Sequence, residues 1–465
     1  MPGYDLEPIF NPKSIAIVGA SRDASSVGQG ILRNLAKGCV FHCSYCKPFK
    51  GKIFPVNPKA KSIRGRKCYP DINSIEEDVD LAIIAVPAKA VPKVMKECAQ
   101  KKVTGAIVVS AGFAEFGEKG KKLQQETVKI AEDAGIPVVG PNCLGVIRPT
   151  TQMNASFAPS MPPSGSIAFV SQSGALADSI IDWAIEERYG FSAIVSYGNK
   201  AMLDAEDFLN WLADDPHTKA IAMYIEGVND GRRFMRIASK VAAKKPVVAL
   251  KAGKTGKGAS AVSSHTGSLA GSYEIFRAAL RQSGIMEAET VEDLFDMAKA
   301  LAHQPGCSKN AVAIVTNGGG CGVLTADYCA EQGINLVDLK EKTLKKLDRS
   351  GKMHPAYSRR NPLDIVGDAL PERYEAAINT LLSEDYISGM IVLQTLQTMT
   401  DVTKDAEVVI KARRKFPDKP IICTYMGGRF SEKGKTLLEK NGIPDYNDPR
   451  KAVRAMKALI EKGRS

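Results

Sequence analysis

The chain has 465 residues and a formal charge of +12 at neutral pH, and it is 44% hydrophobic and 25% charged. That is the make-up of a soluble globular protein with room for about three domains. No apolar run reaches the roughly 18–20 residues that cross a bilayer, and the start Met-Pro-Gly-Tyr-Asp-Leu-Glu lacks a basic stretch leading into an apolar one, so neither membrane nor secretory segment is expected and a cytoplasmic protein is.

Short apolar, β-rich runs alternate with longer amphipathic ones, the pattern of parallel sheets covered by helices. Strands are expected at 14–19, 53–56, 81–86, 106–109 and 137–139, with helices near 26–37, 89–101 and 118–134, which together make a Rossmann-like unit. The proline-rich joint 159–165 precedes a second set of strands at 166–170, 193–196, 220–225 and 246–250. A further joint at 303–310 leads to a third set at 311–316, 390–393 and 420–423. The fold class is α/β, with three consecutive α/β domains.

Two strands run straight into helices through small polar residues and glycine, at Ser171-Gln-Ser173-Gly174-Ala and at Thr316-Asn-Gly-Gly319-Gly320-Cys321-Gly. Glycine permits close backbone approach, and the unpaired amides of a helix start present positive charge to an anion. Each segment alone reads equally well as a tight turn without a ligand. Near them lies Lys254-Thr-Gly-Lys-Gly-Ala-Ser-Ala-Val-Ser-Ser-His265-Thr-Gly-Ser-Leu-Ala-Gly-Ser272, with little apolar bulk to pin it to a core. A mobile loop is expected there, either an ordinary surface loop or a tether sweeping a nucleophilic imidazole over about 30 Å. His42, His217, His303 and His354 have no comparable setting.

The turn Gly19-Ala-Ser21-Arg-Asp-Ala24 has Ser21 and Ala24 where a dinucleotide fingerprint needs glycines, and the next strand ends in Val56-Asn57-Pro58-Lys59 without a ribose-gripping acid. NAD is therefore disfavoured, whereas NADP or coenzyme A stays open. Gly253-Lys254-Thr255 imitates a P-loop, but Val248 replaces its leading glycine. Nine Lys or Arg residues and no acid fall between Lys37 and Lys67. No aromatic-rich basic strand or zinc-finger spacing accompanies them, so a phosphorylated cofactor or an acidic protein surface is expected rather than nucleic acid.

In order and spacing, the segments Ile17-Val-Gly-Ala-Ser21, Val56-Asn-Pro-Lys59, Ala85-Val-Pro-Ala88, Ser110-Ala-Gly-Phe-Ala-Glu115, Gly140-Pro-Asn-Cys-Leu-Gly145, Ser171-Gln-Ser-Gly174, Tyr224-Ile-Glu-Gly227, Ser264-His-Thr-Gly267, Thr316-Asn-Gly-Gly-Gly320 and Asn361-Pro-Leu-Asp364 resemble the α subunit of ADP-forming acyl-CoA synthetases (acetate–CoA ligase, ADP-forming), relatives of succinyl-CoA synthetase. The resemblance implies a Rossmann-like CoA-binding domain at 1–147, a flavodoxin-like ligase domain carrying the phosphohistidine loop at 148–305, and a second flavodoxin-like domain at 306–465. It implies the reversible conversion of acyl-CoA, ADP and phosphate into acid, ATP and CoA, through acyl phosphate and phospho-His265. Acetyl is the family's usual acyl group.

On the same basis Gly19 and Ser21 lie near the CoA phosphates, Lys52, Asn57 and Lys59 are further contacts, and Pro87, Ser110, Gly112, Asn142 and Cys143 border the rest of the cofactor. Cys143 is read as a wall of the pocket. Glu226 accepts the ring proton of His265, and Ser173, Gly174, Gly319, Gly320 and Cys321 cradle phosphate. None of the three domains resembles an ATP-binding fold, and the resemblance implies that ADP or ATP with Mg²⁺ sits on an ATP-grasp β subunit, in an α2β2 assembly. A non-catalytic CoA-binding or acyl-sensing module is the alternative, followed by an NADP-dependent oxidoreductase.

The stretch Cys39-Val-Phe-His42-Cys43-Ser-Tyr-Cys46, with Cys68 beyond it, departs from the family pattern. Its thiols offer soft ligands for a structural zinc, but the spacing is irregular and no second CxxC follows. Ten cysteines in so long a chain fit reduced thiols better than disulfides, and no metal is expected.

Overall fold

The computed structural model describes residues 4–41, 44–266 and 272–464, with the side chains of 263–266 left out. By compactness the chain divides into two units that part between Glu289 and Thr290.

In the first unit a five-stranded parallel sheet runs in the order Lys52–Val56, Ser14–Val18, Leu81–Ile84, Gly105–Val108, Val138–Val139. Its strands are unbroken apolar runs because both faces are covered. Ile15, Ile17, Leu81 and Ile83 point into one buried cluster. Ala16, Val18, Ala82 and Ile84 point into another, on the opposite face. The helices Val27–Lys37, Val91–Lys101 and Glu118–Ala134 fall where the sequence places them.

The second sheet of this unit is seven-stranded, in the order Met286–Glu287, Val247–Lys251, Ala220–Ile225, Ser164–Ser171, Phe191–Ser196, Gly145–Arg148, Met153–Ser156. Its last two strands form an antiparallel hairpin that the sequence reading did not anticipate. Both are four residues long, and the second, Met-Asn-Ala-Ser, carries little β-propensity. The hairpin joins the two sheets. Asn34 of the helix Val27–Lys37 donates to the carbonyls of Ser156 and Ala158 at 2.8 and 2.7 Å. Arg148 is buried and bidentate on Asp215 at 3.1 and 2.7 Å, with its guanidinium 4.9 Å from the centre of the Trp211 ring.

The second unit holds a four-stranded parallel sheet ordered Leu363–Asp364, Val312–Thr316, Gly389–Gln394, Ile421–Tyr425. The helix Val291–His303 precedes the joint at 303–310 and yet packs here, against the C-terminal helix Pro449–Lys462. Within it, buried Lys299 pairs with Glu439 at 2.6 Å. Among the described residues no helix is long and apolar enough to cross a membrane.

Two sequence expectations need correction. Residues 256–266 form a helix rather than an extended loop. Thr255 starts it, its hydroxyl accepting from the Gly258 amide at 3.1 Å and its carbonyl from Ala259 at 2.7 Å. Eleven helical residues span about 16 Å, less than half their extended length, which shortens any tether. In addition, Cys39 and Cys46 form a disulfide instead of remaining reduced. At Gly38, φ is +94° and a Cβ would stand 2.4 Å from the Lys47 amide. That return of the chain leaves the two cysteine Cα atoms 5.6 Å apart, within disulfide span. The pairing removes two of the four zinc ligands considered; Cys43 lies outside the described residues, and among those described no cluster is arranged to hold a metal.

Asp215→Ala should strip the buried Arg148 of its counter-charge. The expected cost is about 3–5 kcal/mol of stability in urea denaturation, and a loss below about 1 kcal/mol would show that water or another acid compensates.

Candidate active site

The C-terminal ends of the first sheet carry the close approaches that a ligand-binding turn requires. Gly19 has φ +98°, and a Cβ there would stand 2.2 Å from the Ala85 carbonyl oxygen. A Cβ at Gly28 would stand 2.1 Å from the Gly19 carbonyl oxygen. Gly28, which the fingerprint comparison missed, thus does the packing that a third fingerprint glycine would do, four residues later than that pattern expects. Asn57 donates to the Ala20 carbonyl at 2.7 Å and accepts from the Lys59 amide at 2.9 Å, so Gly19, Ser21, Asn57 and Lys59 share one sheet end.

The strand pair Ser62–Ile63 and Arg66–Lys67 adds exposed Arg64, Arg66 and Lys67 near Lys59 and Lys61, and Arg22 donates to the Ser62 carbonyl at 3.2 Å. Much of the basic block therefore clusters beside the Gly19–Ser21 turn. Lys52 does not. It starts its strand opposite Ser14, at the far end of the sheet, and is ion-paired with Glu77. A count of basic residues carries no information about which end of a strand each occupies.

A cleft of ≈ 740 Å³ in the first unit gathers Pro87, Ser110, Asn142 and Cys143 together with Ser173 and Gly174. Ser110 donates to the Val86 carbonyl at 2.6 Å and accepts the Asn142 amide on its own carbonyl at 3.0 Å, locking three strand ends around the opening. Gly112 is adjacent but does not line the cleft; its amide donates to Glu115 at 2.6 Å. The Cys143 thiol is buried against the Val108 carbonyl at 3.4 Å, and burial pushes its pKa up to about 12. It lines the cleft, and its raised pKa disfavours the thiolate that a nucleophile requires.

Ser173 caps the helix Gly174–Glu186 by accepting from the Leu176 amide at 3.2 Å. The next amides, on Gly174 and Ala175, precede the first full helical turn, and both residues line the cleft. Gln172, Asn199 and Asp178 also line it and were not singled out from sequence. Gln172 was legible as the middle of the Ser-Gln-Ser-Gly motif; the other two carry no local signal.

Glu226 is buried at the end of its strand, where Gln172 accepts the amides of both Glu226 and Gly227. Lys251 donates to the Glu226 carbonyl at 2.9 Å, and Lys200 to the Gly227 carbonyl at 2.8 Å. Burial raises the Tyr224 hydroxyl to about 12, helped by the charge of Glu226 and a hydrogen bond to it. Gln172 thus links Glu226 to the cleft. The helix Gly256–Thr266, whose backbone includes His265, lies against the turn Ala114–Phe116. The His265 side chain lies outside the described atoms.

Gly319, Gly320 and Cys321 open the helix Gly319–Glu331 of the second unit. A Cβ on Gly319 would stand 2.7 Å from the Asp364 carboxylate, whose side chain would have to turn aside to admit it. Burial raises the Cys321 thiol.

Comparison with known proteins places this geometry. A CoA binding domain matches residues 13–149, a succinyl-CoA ligase like flavodoxin domain 164–301, and a ligase-CoA domain 312–461. The α subunit of acetate–CoA ligase [ADP-forming] II from Pyrococcus furiosus is 42% identical over 99% of this chain and 98% of its own length. The chain belongs to the ADP-forming acetate–CoA ligase family. Acetate–CoA ligase [ADP-forming] I from Archaeoglobus fulgidus is 45% identical over 98% of this chain, which spans only 63% of that relative. Among solved structures, the dinucleotide forming acetyl-coenzyme A synthetase 1 of Ca. Korarchaeum cryptofilum, in complex with phosphate and ADP, superposes with a TM-score of 0.90 at 38% identity, covering 99% of this chain and 97% of that one. The α/β fold with parallel sheets, a CoA-binding domain followed by flavodoxin-like ligase domains, is that of the family.

Burial pushes the Cys143 pKa up to about 12 and so holds it as the neutral thiol at pH 7.5. Iodoacetamide should therefore leave it unmodified in the folded chain and label it only after denaturation. Rapid labelling of Cys143 in the native state, read by peptide mass spectrometry, would return it to the list of nucleophiles.

Proposed function

We propose that this chain is the α subunit of an ADP-forming acyl-CoA synthetase, and that the cleft joining Pro87, Ser110, Asn142 and Cys143 to the helix start at Ser173–Gly174 is where acyl-CoA meets phosphate. That juxtaposition carries the reading, because a thioester and an anion-binding helix start serve no purpose together in a purely CoA-binding module. The domain at 1–147 takes CoA, with Gly19, Ser21, Asn57 and Lys59 at its phosphates and the neighbouring basic hairpin neutralising them. The turn's demand for glycine at Gly19 and the exposed Lys59 beside it fit such a ligand. The domain at 148–305 supplies Ser173, Gly174, Glu226 and His265, and that at 306–465 a second anion-binding helix start at Gly319, Gly320 and Cys321.

Phosphate held on the Gly174 and Ala175 amides attacks the thioester carbonyl; the C–S bond breaks, CoA leaves as the thiol, and acyl phosphate remains. The His265 imidazole then attacks phosphorus, the P–O bond to the acyl group breaks, and the free acid departs. Glu226 accepts a hydrogen bond from the N–H of the ring nitrogen that does not attack, stabilising the imidazolium as it forms. Phospho-His265 finally passes its phosphoryl group to ADP. The nucleotide and its Mg²⁺ belong to an ATP-grasp β subunit in a cytoplasmic α2β2 complex, consistent with the naming of the Pyrococcus relative as a subunit alpha.

Incubating the chain with acetyl-CoA and radiolabelled phosphate should give an acid-labile, base-stable label. His265→Ala should abolish it and Glu226→Gln slow it by about 10²–10³-fold. CoA affinity without any label, with or without the partner, would mark a sensing module instead. A label that survives in His265→Ala would move the chemistry to another residue.

A further inference from the structure

Among the described residues the cleft is lined by one carboxylate, and the chemistry above does not use it. Asp178 lies one turn beyond Gly174 on the helix Gly174–Glu186, and residues 174, 175 and 178 all line the cleft. The i, i+4 spacing puts Asp178 on the same helix face as Gly174, one turn away at about 6 Å. It is therefore close to the amides assigned to phosphate. Phosphate must touch the acyl carbon to react, so the acyl group rather than the distant nucleotide end of CoA comes nearest to Asp178.

The surroundings of this carboxyl are unusual. Val27, Val86, Val109, Leu144 and Phe157 make much of the cleft wall apolar. Asp178 Oδ1 is buried without a hydrogen-bond partner. Burial, with no compensating donor or positive charge, raises its pKa above the usual carboxylate value. A half-desolvated carboxylate gains from any donor that a ligand brings and resists a second negative charge.

Resting on the acyl-CoA reading of this cleft, we propose that Asp178 selects the acyl group: it accepts a hydrogen bond from a hydroxyl or ammonium carried on the acyl chain, and it repels a dicarboxylic acyl group. Hydroxylated or aminated short acids are then the preferred substrates over unsubstituted acids of the same length. Succinate-like acids are excluded by charge.

The test measures kcat/KM of the full chain with its partner subunit for butyrate, its 2-, 3- and 4-hydroxy and 4-amino derivatives, and succinate, in wild type, Asp178→Asn and Asp178→Leu. Wild type should prefer at least one substituted acid over butyrate by about tenfold or more. Asp178→Leu should erase that preference while leaving the KM for CoA within about twofold and lowering the KM for phosphate, whose charge the carboxylate also opposes. Asp178→Asn keeps an acceptor and loses the charge, so a hydroxyl preference should survive, an ammonium preference should fall, and succinate should gain activity. An unchanged substrate ratio in Asp178→Leu, with butyrate still turned over, overturns the role of Asp178 and leaves the synthetase reading intact. Absence of turnover with every acid in wild type, under conditions that load CoA, fails the synthetase reading instead. Should Asp178→Leu not fold, the Asp178→Asn gain with succinate decides alone, and no gain overturns the proposal.

Discussion

The start of the helix Gly174–Glu186 carries more of this structure than its length suggests. A strand that ends in Ser171-Gln172 and turns at Ser173 brings Gly174 and Ala175 into the lining of a cleft, with the Leu176 amide capped by Ser173 and the two amides before it outside the helical ladder. Positive potential made from backbone needs no cation and no titration, so it persists across the physiological pH range. The rest of the unit is arranged around it. The first sheet contributes Pro87, Ser110 and Asn142 as the opposite wall, and the hairpin at 145–156 holds the two sheets in register through Asn34.

The same helix start also explains the pinning of Glu226. Gln172 both borders the cleft and receives the amides of residues 226 and 227, while Lys200 and Lys251 hold the carbonyls of the same two residues. Three side chains thus fix a strand end against the phosphate cradle. The backbone on both sides of that carboxylate is fixed, and its side chain shares a hydrogen bond with the Tyr224 hydroxyl. The helix Gly256–Thr266 alters the picture of that segment from a free tether to a short rod, and a rod limits the directions from which His265 can approach.

The sheets were legible because buried parallel strands must be apolar on both faces, so runs such as Ser14–Val18 and Ala220–Ile225 announce themselves. The hairpin Gly145–Arg148 and Met153–Ser156 was not, since short polar strands are recruited by the sheet beside them rather than by their own composition. Residues 256–266 are poor in bulk but capped by Thr255, and composition outweighed the cap in the reading of the sequence. Cys39 and Cys46 meet because of the turn at Gly38, a matter of backbone path. At the candidate site, the helix starts at Ser173–Gly174 and Gly319–Cys321 stand out as glycine-bearing turns and the cofactor contacts through the family resemblance, whereas Lys52, Asn199 and Asp178 depend on which strand end or helix face they occupy, and only the assembled sheet decides that.

Backbone amide spectroscopy tests the central claim most directly. On titrating inorganic phosphate into isotopically labelled chain, the Gly174 and Ala175 amide resonances should shift downfield and saturate together, as charge-assisted hydrogen bonds form. If those two resonances stay in place while phosphate binds elsewhere, the helix start is a structural turn and the cleft is not where phosphate meets the thioester.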